Sequence, residues 1–209
     1  MTSKEIQILV EIENLVCDFD NNIEIIKNKL RGLTIDINFG QQLIYADVMC
    51  RNNRQRRILL FDIMLHESAN LMTDWVTTYH LLREAYIMTD NIYAQLCLSP
   101  YSFNLKDFLR LLQQKVDVEQ LMEQEEKDYL NALFFPLKIY RGMCNTESKS
   151  ENFGISWTDS KDYASNYVFY SKNNNQDKDG MIAEMVIERK NVFAAWGANG
   201  KEKELIILI

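Results

Sequence analysis

Pro136-Leu137-Lys138-Ile139-Tyr140-Arg141-Gly142 is the stretch at which the 209-residue chain changes its pattern. Upstream of it, apolar residues recur at helical spacing over long segments. Downstream they come in short runs separated by glycines and polar loops. Five of the seven glycines, Gly142, Gly154, Gly180, Gly197 and Gly200, follow Pro136. Seven glycines and two prolines in all are too few turn-formers for an all-β fold of many hairpins. The expected fold class is α+β, with a helical lobe over residues 1–136 and a small α+β core over residues 137–209.

In the upstream part, Ile6, Leu9 and Val10 start an amphipathic pattern that runs towards Lys29. Met72, Trp75, Val76, Tyr79, Leu82, Arg83 and Tyr86 follow the i, i+3, i+4, i+7 spacing, with the arginine at the edge of the stripe. Leu105, Phe108, Leu109 and Leu112 repeat it behind Asn104, a suitable N-cap. Shorter apolar segments stand at Ile35–Phe39 and Ile58–Leu65. Such faces bury one another, which predicts a packed helical lobe. The acidic run Glu123, Glu125, Glu126 and Asp128 reads as the wet face of a last helix ending near Leu133.

In the downstream part, Leu137–Tyr140 and Gly154–Trp157 read as short strands. Asp159–Tyr170 reads as a helix with Ala164, Tyr163, Tyr167 and Tyr170 on one side, the tyrosines as core residues. A polar loop from Asn173 to Gly180 leads to a strand over Met181–Ile187 and another over Val192–Ala195. A glycine-rich turn follows, and Glu204–Ile209 closes the chain as a strand.

Charge divides the chain at the same place. Up to Pro136 there are 13 basic and 20 acidic side chains, and after it 10 of each, so the net charge of −7 belongs to the first part. This balance argues against nucleic acid as a primary partner, because neutralising phosphates takes clustered Lys and Arg. The one basic cluster, Arg51, Arg54, Arg56 and Arg57, reads as a solvated face or loop. No run of eighteen apolar residues is present, so no membrane partner is expected. The N-terminus lacks the layout of a signal peptide, and the expected location is the cytoplasm, or a target cell entered without a cleavable signal. The four cysteines, Cys17, Cys50, Cys97 and Cys144, fit neither a zinc-binding spacing nor a compact disulfide framework and read as free thiols.

Several chemistries fall away on inspection. His66-Glu67 has no second histidine four residues on, His80 is the only other histidine, and both read as packed or half-exposed residues. There is no phosphate-binding glycine loop and no serine nucleophile elbow, and no metal is expected. What remains is an ordered set in the last third of the chain. Arg141 is followed by Gly142; Ser156-Trp157-Thr158 ends a strand before a helix; Glu202-Lys203-Glu204 opens the final apolar strand. This succession resembles the ADP-ribosyltransferases of the arginine, serine, glutamate class, over residues 137–209.

The resemblance implies a split β-sheet core and NAD as substrate. It implies transfer of ADP-ribose to an arginine of a protein target, with release of nicotinamide. Breaking the nicotinamide–ribose bond builds positive charge on the sugar, which a nearby carboxylate stabilises. Glu204 matches the catalytic glutamate of the class, and Glu202, on the same strand face, matches the glutamate that prepares an arginine acceptor. Arg141 would contact the NAD phosphates or ribose through its forked guanidinium. Gly142 would admit the nicotinamide carboxamide, and Ser156 would orient Glu204 and the ribose. Thr158 completes the hydroxyl triplet and Trp196 would meet the acceptor protein.

Each residue also has a plainer reading. Arg141 pairs with a carboxylate, Glu202 and Glu204 are solvated edge charges, Ser156 and Thr158 cap the following helix, and Trp196 plugs the sheet edge. The triplet has Trp157 where the class has a threonine, and the chain ends five residues after Glu204. Two further functions share the scaffold: an NAD glycohydrolase, and an inert module that binds or inhibits a partner through the acidic helical lobe. The class includes toxins, injected effectors and proteins of phages and mobile elements, so a role between organisms is implied by resemblance alone.

Overall fold

A computed structural model describes residues 1–46, 57–89, 92, 98–143, 145–150, 154–173, 180–197 and 204–209. The fold is α+β and divides into two compact units, Met1–Leu105 and Lys106–Ile209. Among the described residues no helix is long and apolar enough to cross a membrane.

The first unit holds α1 (Ser3–Val16), α2 (Phe19–Leu30), α3 (Ile37–Ile44), α4 (Arg57–Glu67) and α5 (Trp75–Ile87). The single pattern expected from Ile6 to Lys29 is two helices, α1 and α2, that pack on each other across a turn at Cys17 and Asp18. Thr2 and Glu5 close the start of α1 with a reciprocal capping box, which satisfies two backbone donors the helix leaves open. Cys17 is disulfide-bonded. This corrects the free-thiol expectation for Cys17, because disulfide pairing is decided by the fold and is not written in cysteine spacing. Cys50, Cys97 and Cys144 lie outside the described residues.

The short apolar segment Ile58–Leu65 lies in α4, which is buried along nearly its whole length and packs against α2, α3 and α5. In α5, Tyr79, Leu82, Arg83 and Tyr86 are buried as the spacing predicts, whereas Met72 lies before the helix and Val76 is exposed. Asp74 caps α5 through the Thr77 amide. Arg57 belongs to the expected basic surface but is buried, with Nη1 donating to the Met88 carbonyl at 3.1 Å. Arg51, Arg54 and Arg56 lie outside the described residues.

The second unit contains α6 (Leu105–Lys115, all but its first residue), α7 (Val118–Leu121), α8 (Gln124–Ala132), α9 (Asn145–Ser150) and α10 (Lys161–Asn173). Its strands are β1 (Leu137–Met143), β2 (Ser156–Trp157), β3 (Met181–Ile187), β4 (Val192–Trp196) and β5 (Glu204–Ile207). The unit begins about thirty residues before the change of pattern at Pro136. Element type changes there, but packing does not follow it: α7 and α8 lie against β4, whose five residues are all buried. Glu126, read from sequence as part of a wet face, is fully buried. Its carboxylate accepts from the Glu123 amide at 3.0 Å and the Gly197 amide at 3.2 Å. Those bonds offset the cost of burying the charge.

The strands form two antiparallel groups. β1 pairs with β3, from Leu137 opposite Ile187 to Met143 opposite Met181. β5 is the centre of a three-stranded group, with β2 on one side and β4 on the other. A two-way backbone bridge between Tyr140 and Thr158, at 2.7 and 2.9 Å, joins the groups. The sheet is thus pinched between β1 and β2, and the residues singled out by the resemblance stand on both sides of the pinch.

Candidate functional site

Arg141 lies in the second half of β1 and turns its guanidinium towards the segment that enters β2. Nε donates to Glu147 Oε1 at 2.7 Å and Nη1 to the Ser156 carbonyl at 2.5 Å. The same Glu147 oxygen accepts from the Gly154 amide at 2.7 Å. A Cβ on Gly154 would stand 2.2 Å from Nη2, so a side chain there would displace the guanidinium from this position. Both partners of the ion pair are largely buried, with side-chain exposures of 16% and 8%. A pair in this setting is held by its charge-assisted hydrogen bonds, and removing one partner strands the other. Nη2 makes no hydrogen bond among the described residues. Burial pushes the Lys106 ammonium below its usual range, and Arg110 and Arg141 nearby push it the same way against Glu147.

Ser156 opens β2 and stands opposite Ile206 of β5, with Trp157 opposite Leu205. Its carbonyl holds Arg141, so the plain pairing of Arg141 and the link to Ser156 are parts of one arrangement. Trp157, the departure from the hydroxyl triplet, is buried and donates through Nε1 to the Gly154 carbonyl at 3.1 Å. Thr158 is buried, and its hydroxyl accepts from the Ser160 amide at 3.2 Å. The helix cap is Ser160, which accepts from the Tyr163 amide at 3.2 Å. Thr158 therefore shapes the turn ahead of α10, and the capping expected of it falls to its neighbour two residues on.

Gly142 is explained by packing before any ligand is considered. A Cβ there would stand 2.0 Å from the Ala164 carbonyl oxygen and 3.0 Å from Tyr167 Cβ, because α10 runs directly over β1. Ala164 and Tyr167 are three residues apart and share that helix face. From it the Tyr167 hydroxyl donates to Glu204 Oε1 at 3.1 Å. The Tyr163 hydroxyl, one turn earlier, lies 2.9 Å from that of Tyr167, with the two rings edge to face at 5.3 Å. Tyr163 and Tyr167 are partly open to solvent rather than core, in contrast to the expectation for them. The side chain of Tyr170 lies outside the described ones.

Glu204 is the first residue of β5 and stands opposite Trp196 of β4. Trp196 is 1% exposed and packs edge to face on Phe193, which fits a ring closing the sheet rather than one presented to an acceptor. Glu202 lies outside the described residues. The structure thus brings Arg141 to the Ser156 backbone and Glu204 to Tyr167, on strands linked through β2.

Three residues of this arrangement carry no clear mark in the sequence. Glu147 sits on α9, a helix too short for a periodic signal. Gly154 takes its meaning only from Arg141, and Tyr167 reads as one member of an apolar stripe. The one available signal for Glu147 is its place as the first carboxylate after Arg141. A separate open cleft beside α10 and β3, lined by Lys161, Ser165, Met181 and Glu184 among others, contains none of the residues selected by the resemblance. Among the described residues no group of three or more His, Cys, Asp or Glu is placed to hold a metal ion. Compared with known proteins, the chain matches no family model, no curated protein and no solved structure.

Proposed function

We propose that the chain is a mono-ADP-ribosyltransferase that moves ADP-ribose from NAD to an arginine side chain of a target protein and releases nicotinamide. The observation that carries this reading is the placement of Arg141, Ser156 and Glu204 on β1, β2 and β5. These strands adjoin in that order through the Tyr140–Thr158 bridge and the β2–β5 pairing. In the reaction, the bond between ribose C1′ and the nicotinamide nitrogen breaks and its electron pair leaves with nicotinamide. The acceptor guanidinium nitrogen then bonds to C1′ and gives up a proton, for which Glu202 is the proposed base. Glu204 stabilises the positive charge on the sugar. Arg141 is fixed by Glu147 and presents Nη2, a charge-assisted donor suited to a phosphate oxygen. With water in place of the acceptor, the same groups hydrolyse NAD.

One observation favours the inert binding module instead. Two faces of the Arg141 guanidinium are already engaged within the protein, by Glu147 and by Ser156. Incubation of the purified chain with labelled NAD and cell lysate separates the readings. Wild type is expected to label protein and consume NAD, Glu204→Ala to do neither, and Glu202→Ala to lose labelling while keeping NAD consumption. Loss of labelling with retained NAD consumption in wild type itself identifies the hydrolase, and no NAD turnover at all leaves the binding module.

A further inference from the structure

The contact between α10 and the start of β5 involves a residue to which the resemblance gives no role. An ionised carboxylate only accepts hydrogen bonds, and a tyrosine hydroxyl has one proton to donate. Once Tyr167 donates to Glu204 Oε1, it must accept from Tyr163 across the 2.9 Å between their hydroxyls. The direction of the relay is therefore set, from Tyr163 to Tyr167 to Glu204, and each bond polarises the next. The helix that carries both tyrosines is seated on β1 by the missing Cβ of Gly142, with the Tyr167 Cβ among the nearest atoms. Glu204 is fixed from the other side by its pairing with Trp196 on the buried strand β4. A hydroxyl anchored on a packed helix favours one rotamer of the carboxylate it touches.

We propose that Tyr167 is a positioning residue for Glu204, holding its carboxylate through Oε1 in a single orientation towards the ribose, with Tyr163 as its support. The proposal rests on the NAD reading for the identity of the ligand but not for the contact itself. Two readouts separate them. The first is a carbon-13 NMR titration of the Glu204 carboxyl in the intact chain without NAD. The charged groups next to it in sequence, Glu202 and Lys203, are unchanged in every variant compared. Tyr167→Phe removes a donor to the charged form, so the Glu204 midpoint is expected to rise by about half a pH unit. Tyr163→Phe is expected to move it less, in the same direction.

The second readout is nicotinamide release from NAD. For Tyr167→Phe, kcat is expected to fall about tenfold with KM within about twofold, the sign of an interaction felt in the transition state rather than in binding. The acid limb of the pH profile should move upward with the midpoint. An unmoved Glu204 midpoint in Tyr167→Phe overturns the proposal, as does a moved KM with unchanged kcat, which would make Tyr167 a direct ligand contact. If wild type turns over no NAD and Tyr167→Phe still moves the midpoint, the NAD reading fails while the assignment of Tyr167 to Glu204 stands.

Discussion

Each unit of the molecule carries a polar network, and the two are built differently. In the first unit, Asp62 on α4 is fully buried, accepts from Ser99 Oγ at 2.6 Å and lies 3.1 Å from His66 Nδ1. His66 stacks on Tyr101 with ring centroids at 4.2 Å, and Tyr101 donates to Glu67, which also holds Arg31. These groups lie within the unit and tie residues 99–103 to α4, with Asp62 Oδ2 taking the Ser99 hydrogen bond and Oδ1 left with its ion-pair contact to His66 and no hydrogen bond among the described residues. In the second unit, Arg141 and Glu147 are buried at the pinch in the sheet, but the chain of hydroxyls leading to Glu204 is partly open to solvent. A network whose members lie on one helix and the segment beside it is what a fold uses to fix a loop. The second unit has instead a buried ion pair at the pinch and, separately, a partly open pair of tyrosines on the carboxylate at a strand end, and a site requires both kinds of feature: rigid support and groups left to meet a ligand.

The buried ion pair of the second unit carries the largest expected effect. Glu147→Ala leaves the Arg141 guanidinium buried without its carboxylate, and a loss of about 3–5 kcal/mol in unfolding free energy is expected. A denaturant midpoint within error of wild type would show that the pair anchors nothing. Next in size is Gly142→Ala. Its new Cβ meets the Ala164 carbonyl at 2.0 Å, so α10 must shift, with an expected cost of about 1–3 kcal/mol. The Tyr167–Glu204 contact should weaken with it, visible as a rise in the Glu204 titration midpoint of the variant.

The smallest effect belongs to the network of the first unit and is read against pH. Hydrogen bonding to Asp62 raises the His66 pKa above its ordinary value, against the opposing effect of burial. The protonated form is therefore favoured by folding, and this contribution is complete below the unfolded value of about 6.5. It is lost as pH rises through the folded value. Thermal melts between about pH 6 and pH 8 should show a shallow decline in wild type and a flatter profile in Asp62→Asn, which removes the charge that raises His66. Equal slopes in the two proteins would remove the charge coupling from the first network.

Much of the division into helical and mixed parts was legible in residue spacing. The stripe Tyr79, Leu82, Arg83 and Tyr86 is buried on α5, and the strand over Met181–Ile187 is β3 with the same bounds. What spacing did not reveal was packing between segments. Glu126 looks like any residue of an acidic helix face until the Gly197 amide arrives from beyond β4. Gly142 reads as a glycine for ligand approach and Gly154 as the start of a strand, yet one admits the backbone of α10 and the other the guanidinium of Arg141. Arg141, Ser156 and Glu204 could be singled out from their order along the chain alone, and they lie on the adjoining strands β1, β2 and β5. Glu147 and Tyr167 could not be, because each acquires its role only from the side chain it touches.

The proposed cleavage of NAD by the groups around Glu204 is decided by nicotinamide release from the purified chain. Glu204→Gln keeps the shape and the acceptor for Tyr167 while removing the charge. Wild type is expected to release nicotinamide and the variant to lose about 10²–10³-fold in kcat, with an unchanged melting temperature. Release at equal rates from both proteins, or from neither, contradicts the proposed cleavage.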